Sequence, residues 1–415
     1  MEATKKKNNF AWVVMISCCF IMFGVLGIVA NSISLFMTAF SQQYTDQSMA
    51  SLALYFTCMT GTMAIFQPVA RKIFAKVDTR IVATVAILLA CGGFALISAF
   101  TTFVGWMVCG VIIGLGLSFL TYLLIPILIN NWFKKSLGTV MGIAMACTNL
   151  GGAVFGTVMG NLIQSMGWSS AMRLGAVIAA VISLPFAILG LRYAPKGNQQ
   201  AYGADEAAQK QGAAVSVENR GLTLKESLKT PWFWLVAIGV IVCFFACNFQ
   251  TQAAKFATTA YAFDIAQAGV LSTCLMVGSI AGKVLLGMIN DKFGVGTTYT
   301  VGACAMIAGI LVLVTGSVAT MAFIGAALFG FGFATMSIAP PLMVKGILGP
   351  KDYANIYGYI ASVGTLTSMF SSNVYAAIFE GSGSYTGGMI AASIALVVGI
   401  AVVLIGLKNG KKSWK

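Results

Sequence analysis

Lys283 stands in an apolar stretch eight residues before Asp291, about 12 Å along a helix at 1.5 Å per residue. At that depth hydrocarbon surrounds it, and an ammonium there is costly unless a partner neutralises it. It is therefore a candidate functional residue that a negatively charged partner would neutralise, with snorkelling or helix pairing as the competing reading. Lys255 is the other cation inside an apolar stretch, 24 residues beyond Pro231 and about 36 Å from that end. Snorkelling at the outer interface is favoured for it over attraction of anions into an outer vestibule.

The chemistry that is missing matters as much. All eleven acids fall in termini, connections or segment ends, and there is no histidine, so no embedded carboxylate or imidazole can carry a proton. Ten cysteines lie mostly inside apolar segments without a Cys-x-x-Cys pair, so neither zinc sites nor disulfides are expected. A nucleophile–base pair and a Walker loop are both lacking, which argues against an enzyme and against ATP as the driving force. No cofactor is implied. Gln67, Thr148, Asn149 and Ser337 place neutral polar groups in other apolar segments, where they either line a pocket or hydrogen-bond between helices.

The elements that must position these residues follow from composition. Of 415 residues, 59% are hydrophobic and 9% charged, against about 25% charged in soluble domains. Apolar segments long enough to cross about 30 Å of hydrocarbon recur throughout. They are read as spans 10–40, 48–72, 80–100, 104–131, 137–164, 169–192, 231–261, 267–290, 297–316, 320–347, 353–379 and 385–407. The expected fold is thus an all-α polytopic membrane protein of twelve transmembrane helices. Span 1 follows Lys5, Lys6 and Lys7, is too long for a secretory h-region and has no small-residue cleavage site, so it is read as a mature helix.

Every basic residue except Arg173, Lys255 and Lys283, or 22 of 25, falls on one side of this scheme. The positive-inside rule makes that side the cytoplasm and places both termini there, in a cell (inner) membrane. The net charge of +14 therefore reports topology and contact with membrane lipid, and no nucleic-acid partner is expected. Trp12, Trp132, Trp232 and Trp234 fall at the basic interface, and Trp106 and Trp168 at the other, as an aromatic belt would place them.

The polar stretch within 193–230 reads as a linker between two pseudo-symmetric six-helix bundles, 1–192 and 231–415. The halves repeat at an offset of 216 residues. Gly110-Val-Ile-Ile-Gly114-Leu-Gly116 corresponds to Ala326-Ala-Leu-Phe-Gly330-Phe-Gly332 (326 − 110), and Arg71-Lys-Ile-Phe-Ala75-Lys76-Val-Asp78 to Gly287-Met-Ile-Asn-Asp291-Lys292-Phe-Gly294 (287 − 71). Gln67 is the counterpart of Lys283. Parallel repeats of this kind build transporters whose site lies between the halves near mid-membrane.

Gly287-x-x-x-Asp291-Lys292-x-Gly294 resembles the loop signature of the major facilitator superfamily, with Asp291 able to act as a conformational latch on a helix end or a cation. Its first-half copy is degenerate. Asn31-Ser-Ile-Ser-Leu-Phe36, Asn131-Trp132-Phe133, Gly167-Trp168 and Thr230-Pro231-Trp-Phe233-Trp234 resemble the oxalate:formate antiporter family and the related monocarboxylate transporters. That resemblance implies a substrate-binding cation at Lys283, a substrate-contacting tyrosine at Tyr122 and a polar group at Asn31, where those transporters often carry lysine. It also exposes departures. The antiporter's second central lysine maps onto Gly364, an aromatic onto Ser337 beside Met336, and the proton-coupling acid onto Ser272. One central cation and adaptable methionines suit a monocarboxylate larger than formate, and the absent acid favours anion exchange or facilitated transport over proton symport. Export of amphipathic or drug-like compounds is the alternative transporter, a membrane ligand sensor the alternative class, and a monomer is expected.

Overall fold

The computed structural model describes residues 10–32, 36, 49–74, 76–195, 201–203 and 220–414. Among these, twelve long helical segments run as α1 Phe10–Ala30, α2 Met49–Phe74, α3 Thr79–Ile97, α4 103–132, α5 137–166, α6 168–190, α7 231–260, α8 265–293, α9 295–315, α10 Ala319–Leu348, α11 Tyr353–Ser382 and α12 Thr386–Gly410. Seven continuous helices are long and apolar enough to cross a bilayer, and two of these hold two spans each. The long helices fold back at Gly167 (φ 80°, ψ 157°) and Gly294 (φ 82°, ψ 173°). A side chain would strain that backbone, so glycine ends one span and starts the next without a loop. The polar helices α2 and α11 fall outside the seven because their polar faces meet inside the protein, away from lipid.

Several spans are locally rewound. α1 becomes a π-helix over Met22–Ala30 and α4 over Leu120–Leu124, just before Pro126, whose missing N–H removes a helical bond. α7 tightens to a 3-10 turn at Asn248–Gln252. Within the expected span 10–40 the first helix is interrupted after Ala30 and Phe36 is again helical; residues 33–35 and 37–48 lie outside the described set.

Helices α1–α6 and α7–α12 form two halves that meet where α5 packs on α8 and α2 on α11. Both contacts use a glycine against a carbonyl. A Cβ on Gly142 would collide with the Lys283 carbonyl, and one on Gly358 would sit 3.1 Å from the Gln67 carbonyl. Because 142 + 216 = 358 and 67 + 216 = 283, these are one contact repeated. The connecting segment docks by the same rule. The Tyr202 amide donates to the Trp132 carbonyl (2.8 Å), and the Leu222 amide to the Leu348 carbonyl (3.0 Å), with 132 + 216 = 348.

Two tryptophans expected in the lipid belt are buried. Trp132 and Trp106 donate their indole N–H to the carbonyls of Arg192 (2.7 Å) and Phe100 (2.8 Å), tying connections down, because a buried indole needs an acceptor. Trp12 and Trp234 remain exposed.

Candidate functional site

A cavity of about 220 Å³ lies between the halves. From the first half come Leu26, Ala30 and Asn31 of the α1 end, Phe56, Met59, Thr60 and Met63 of α2, Leu117 and Thr121 of α4, and Thr148 of α5. The second half offers Asn248, Gln250 and Thr251 from the tightened turn of α7, Phe333 and Met336 from α10, and Thr365 and Ser368 from α11. No charged side chain is among the lining residues. The wall is therefore neutral, with hydroxyls and amides set among methionine and phenylalanine.

Local structure explains these placements. Asn31 closes α1, and its amide nitrogen donates to the Thr148 carbonyl (2.9 Å), so both expected residues reach the wall together. Asn248 donates to the Phe244 carbonyl (2.7 Å) and the Ser368 hydroxyl (2.9 Å), which pins the α7 turn to α11.

Lys283 is not on that wall, contrary to the expected pocket built around a central cation. It is 4% exposed and lies in the α5–α8 contact. Its Nζ donates to the Met145 carbonyl (3.1 Å) and to Asn149 Oδ1 (2.8 Å), and Asn149 Nδ2 donates to Ser279 Oγ (2.8 Å). Gly142 brings the two backbones so close that the side chain lies along α5. Among the described residues Lys283 makes no ion pair, so only neutral oxygens compensate its burial.

The remaining candidates scatter. Gln67 is fully buried; its Oε1 accepts from the Thr365 hydroxyl (3.2 Å), while its Nε2 has no partner among the described residues. Gln67–Thr365 is the 216-residue counterpart of Lys283–Asn149, since 149 + 216 = 365. Ser337 turns back to the Ala334 carbonyl (3.1 Å) of its own helix, and Met336 reaches the wall in its stead. Lys255 is exposed, its Nζ 4.4 Å from the centre of the Phe379 ring, and does not line the cavity. Tyr122 lies in the π-helical turn of α4; its side chain is outside the described set.

At the basic end, Asp291 spans the halves. Its Oδ1 accepts from the Gly138 amide (2.7 Å), and its Oδ2 from the Thr139 amide (2.8 Å) and hydroxyl (2.6 Å). These are unsatisfied donors of the α5 N-terminus, and Ser136, in the cap position at φ 56°, makes no side-chain cap bond. A carboxylate from the other half thus does what an N-cap residue ordinarily does, and meets the positive end of the helix dipole. Gly287 and Gly138 touch through their backbones beside it, Gly294 turns the chain, and Lys292 is exposed. Toward the opposite end, Gly156 and Gly160 of α5 and Gly269 of α8 face no atom within 4 Å. The halves are thus in contact at the Asp291 end, and among the described residues these three glycines meet no neighbour.

The wall residues Thr60, Thr121, Asn248, Gln250, Thr251, Thr365 and Ser368 were not singled out from sequence. Two signals were available: the polar run Asn248–Gln252 inside an apolar helix, and the 216-residue step from Asn149 to Thr365.

This architecture has relatives. Residues 15–263 and 248–415 match the family model of the Major Facilitator Superfamily, and the chain belongs to that superfamily: it is a multi-pass secondary transporter, not an enzyme. It is 24% identical over 330 residues to the uncharacterized MFS-type transporter YhjX of Escherichia coli (strain K12), covering 79% of this chain and 78% of that one. The MFS transporter asaE of Aspergillus flavus is 23% identical over 294 residues, covering 68% and 61%. Among solved structures, the fold is similar to the proton:xylose symporter XylE (TM-score 0.70, 14% identity, 97% and 96% covered). It is also similar to FucP in the outward conformation (0.66, 13%, 96% and 99%) and to human MFSD10 (0.69, 11%, 97% and 100%).

Proposed function

We propose that this chain carries an organic anion of monocarboxylate type across the cell membrane by alternating access, as a monomer, through anion exchange or facilitated transport. The observation that carries this reading is Lys283: a buried ammonium that donates only to neutral oxygens, all of them on the facing half. Breaking such contacts without replacement would leave a bare charge in a low-dielectric interior, at a cost of several kcal/mol. A substrate carboxylate provides the replacement. As α5 and α8 part, it takes the positions held by Met145 and Asn149, so anion binding favours the rearranged state. Asp291, with Gly287, Lys292 and Gly294 around it, acts as the latch that holds α5 to α8 in the present state. The basic end faces the cytoplasm under the positive-inside rule, which makes this state closed on the cytoplasmic side.

The experiment is uptake of labelled monocarboxylates into proteoliposomes by the native protein and Lys283→Gln, with thermal unfolding of both as the folding control. Loss of uptake by a folded variant supports the reading, and undiminished uptake overturns it. A second reading, export of amphipathic compounds, is favoured by the charge-free wall with Met59, Met63 and Met336. Competition decides: carboxylates inhibit under the first reading and hydrophobic cations under the second.

A further inference from the structure

A second concavity lies outside the transport pathway. It is a groove of about 360 Å³ between α2, α3 and α4, running from the basic end toward mid-membrane. Its lining is wholly aliphatic and aromatic, including Val69 and Ile73 on α2, Ile81 and Val85 on α3, and Phe119 on α4. From Ile81 to Leu89 it follows α3 for about 12 Å. Val69 and Val85 are 40% and 48% exposed, so the groove opens to the acyl region and not to the central cavity.

Charge gathers at its mouth. Residues 71–80 contain Arg71, Lys72, Lys76 and Arg80 against one acid, Asp78, a net of +3. Asp78 is already engaged as the cap of α3, accepting from the Arg80 amide (2.8 Å). Lys76 is exposed and adjoins the groove residue Val77; Arg80 adjoins Ile81. The Arg80 Nε donates to the Leu191 carbonyl (3.1 Å), and its two terminal nitrogens make no hydrogen bond among the described residues.

At 216 residues' offset, Phe66, Ile81, Leu89 and Phe119 become Gly282, Thr297, Ala305 and Thr335, and residues 287–296 balance Lys292 with Asp291. The net positive charge is thus particular to the first half, where it coincides with the apolar groove.

We infer that this groove holds an acyl chain of an anionic glycerophospholipid from the basic-side leaflet, with the lipid phosphate on Lys76 and Arg80. The chain fills a concavity between helices, and the phosphate accepts from the ammonium and the open edge of the guanidinium.

Native mass spectrometry of the purified full-length protein, with phosphatidylglycerol and phosphatidylcholine of matched chains, tests it. Phosphatidylglycerol is expected to be retained about tenfold more strongly, the size expected for one or two cations near an anionic headgroup. Lys76→Gln combined with Arg80→Gln should erase that preference, and Lys76→Gln alone, which spares the Leu191 bond, should reduce it severalfold. Val85→Trp and Val69→Trp, both filling the groove from its lipid face, should each displace the lipid, whereas Lys411→Gln with Lys412→Gln should change nothing. Equal retention of the two lipids, indifference to the cation and groove variants, or displacement by glycerol phosphate as effective as by whole lipid would overturn the assignment.

Discussion

The α5–α8 and α2–α11 contacts are the same piece of architecture used twice and furnished differently. Each sets a glycine of one half against a carbonyl of the other, Gly142 against Lys283 and Gly358 against Gln67, and each adds a polar bridge one or two turns away. In the first contact the bridge is an ammonium on an asparagine, and a carboxylate at Asp291 closes the end. The second joins a neutral amide to a hydroxyl, and Ala75 stands at the position of Asp291. The backbone pattern has outlived its charges on one side only. Geometry is therefore what packs the halves, and of these two contacts only α5–α8 carries charge.

The largest expected effect tests that division directly. Lys283→Gln makes the two bridges chemically alike and should lower carboxylate uptake by about 100-fold or more, the scale of removing a buried hydrogen-bonded charge. Gln67→Leu removes only a neutral bond and should cost less than about tenfold. Equal losses would erase the distinction.

Next in size is the glycine pair. Gly142→Ala should destabilise the closed arrangement by about 1–3 kcal/mol through overpacking, while Gly358→Ala, with 3.1 Å to the nearest atom, should cost under about 1 kcal/mol. Spin labels at positions 76 and 351, both exposed near the basic end, would report the fraction of separated halves once the ten native cysteines are replaced. The same distance serves Asp291→Asn. Loss of the charged cap should cost about 0.5–2 kcal/mol and raise the separated population severalfold. The smallest effect belongs to Lys255→Gln: an exposed ammonium over Phe379 contributes about 0.5–1 kcal/mol, so uptake should fall less than about fivefold.

Much of the fold was legible because the signals are linear. Hydropathy marks spans, and duplication shows as a constant offset. The offset by itself pairs Gln67 with Lys283. The candidate site was less legible. Asn31 and Thr148 reach the cavity wall, whereas Lys283, Asn149, Gln67, Ser337 and Lys255 do not line it. Depth follows from rise per residue, but the direction a side chain faces depends on how its helix is rotated against neighbours distant in sequence. The α7 wall was missed for a related reason: Asn248–Gln252 reads as a polar blemish until the 3-10 turn aims it inward. Trp106 and Trp132 were misplaced because an aromatic near an interface can serve lipid or a buried carbonyl, and nearby sequence does not distinguish them.

By itself the sequence determined that this chain dissolves in lipid as two repeated bundles carrying one deep, acid-free cation, because such properties depend only on composition and register. The tertiary structure alone decided that this cation is bound to the opposite half beside a neutral cavity, and that Asp291 caps a helix it is not part of. Those outcomes depend on the close approach of α5 and α8, which brings together groups about 140 to 150 residues apart and withdraws them from solvent.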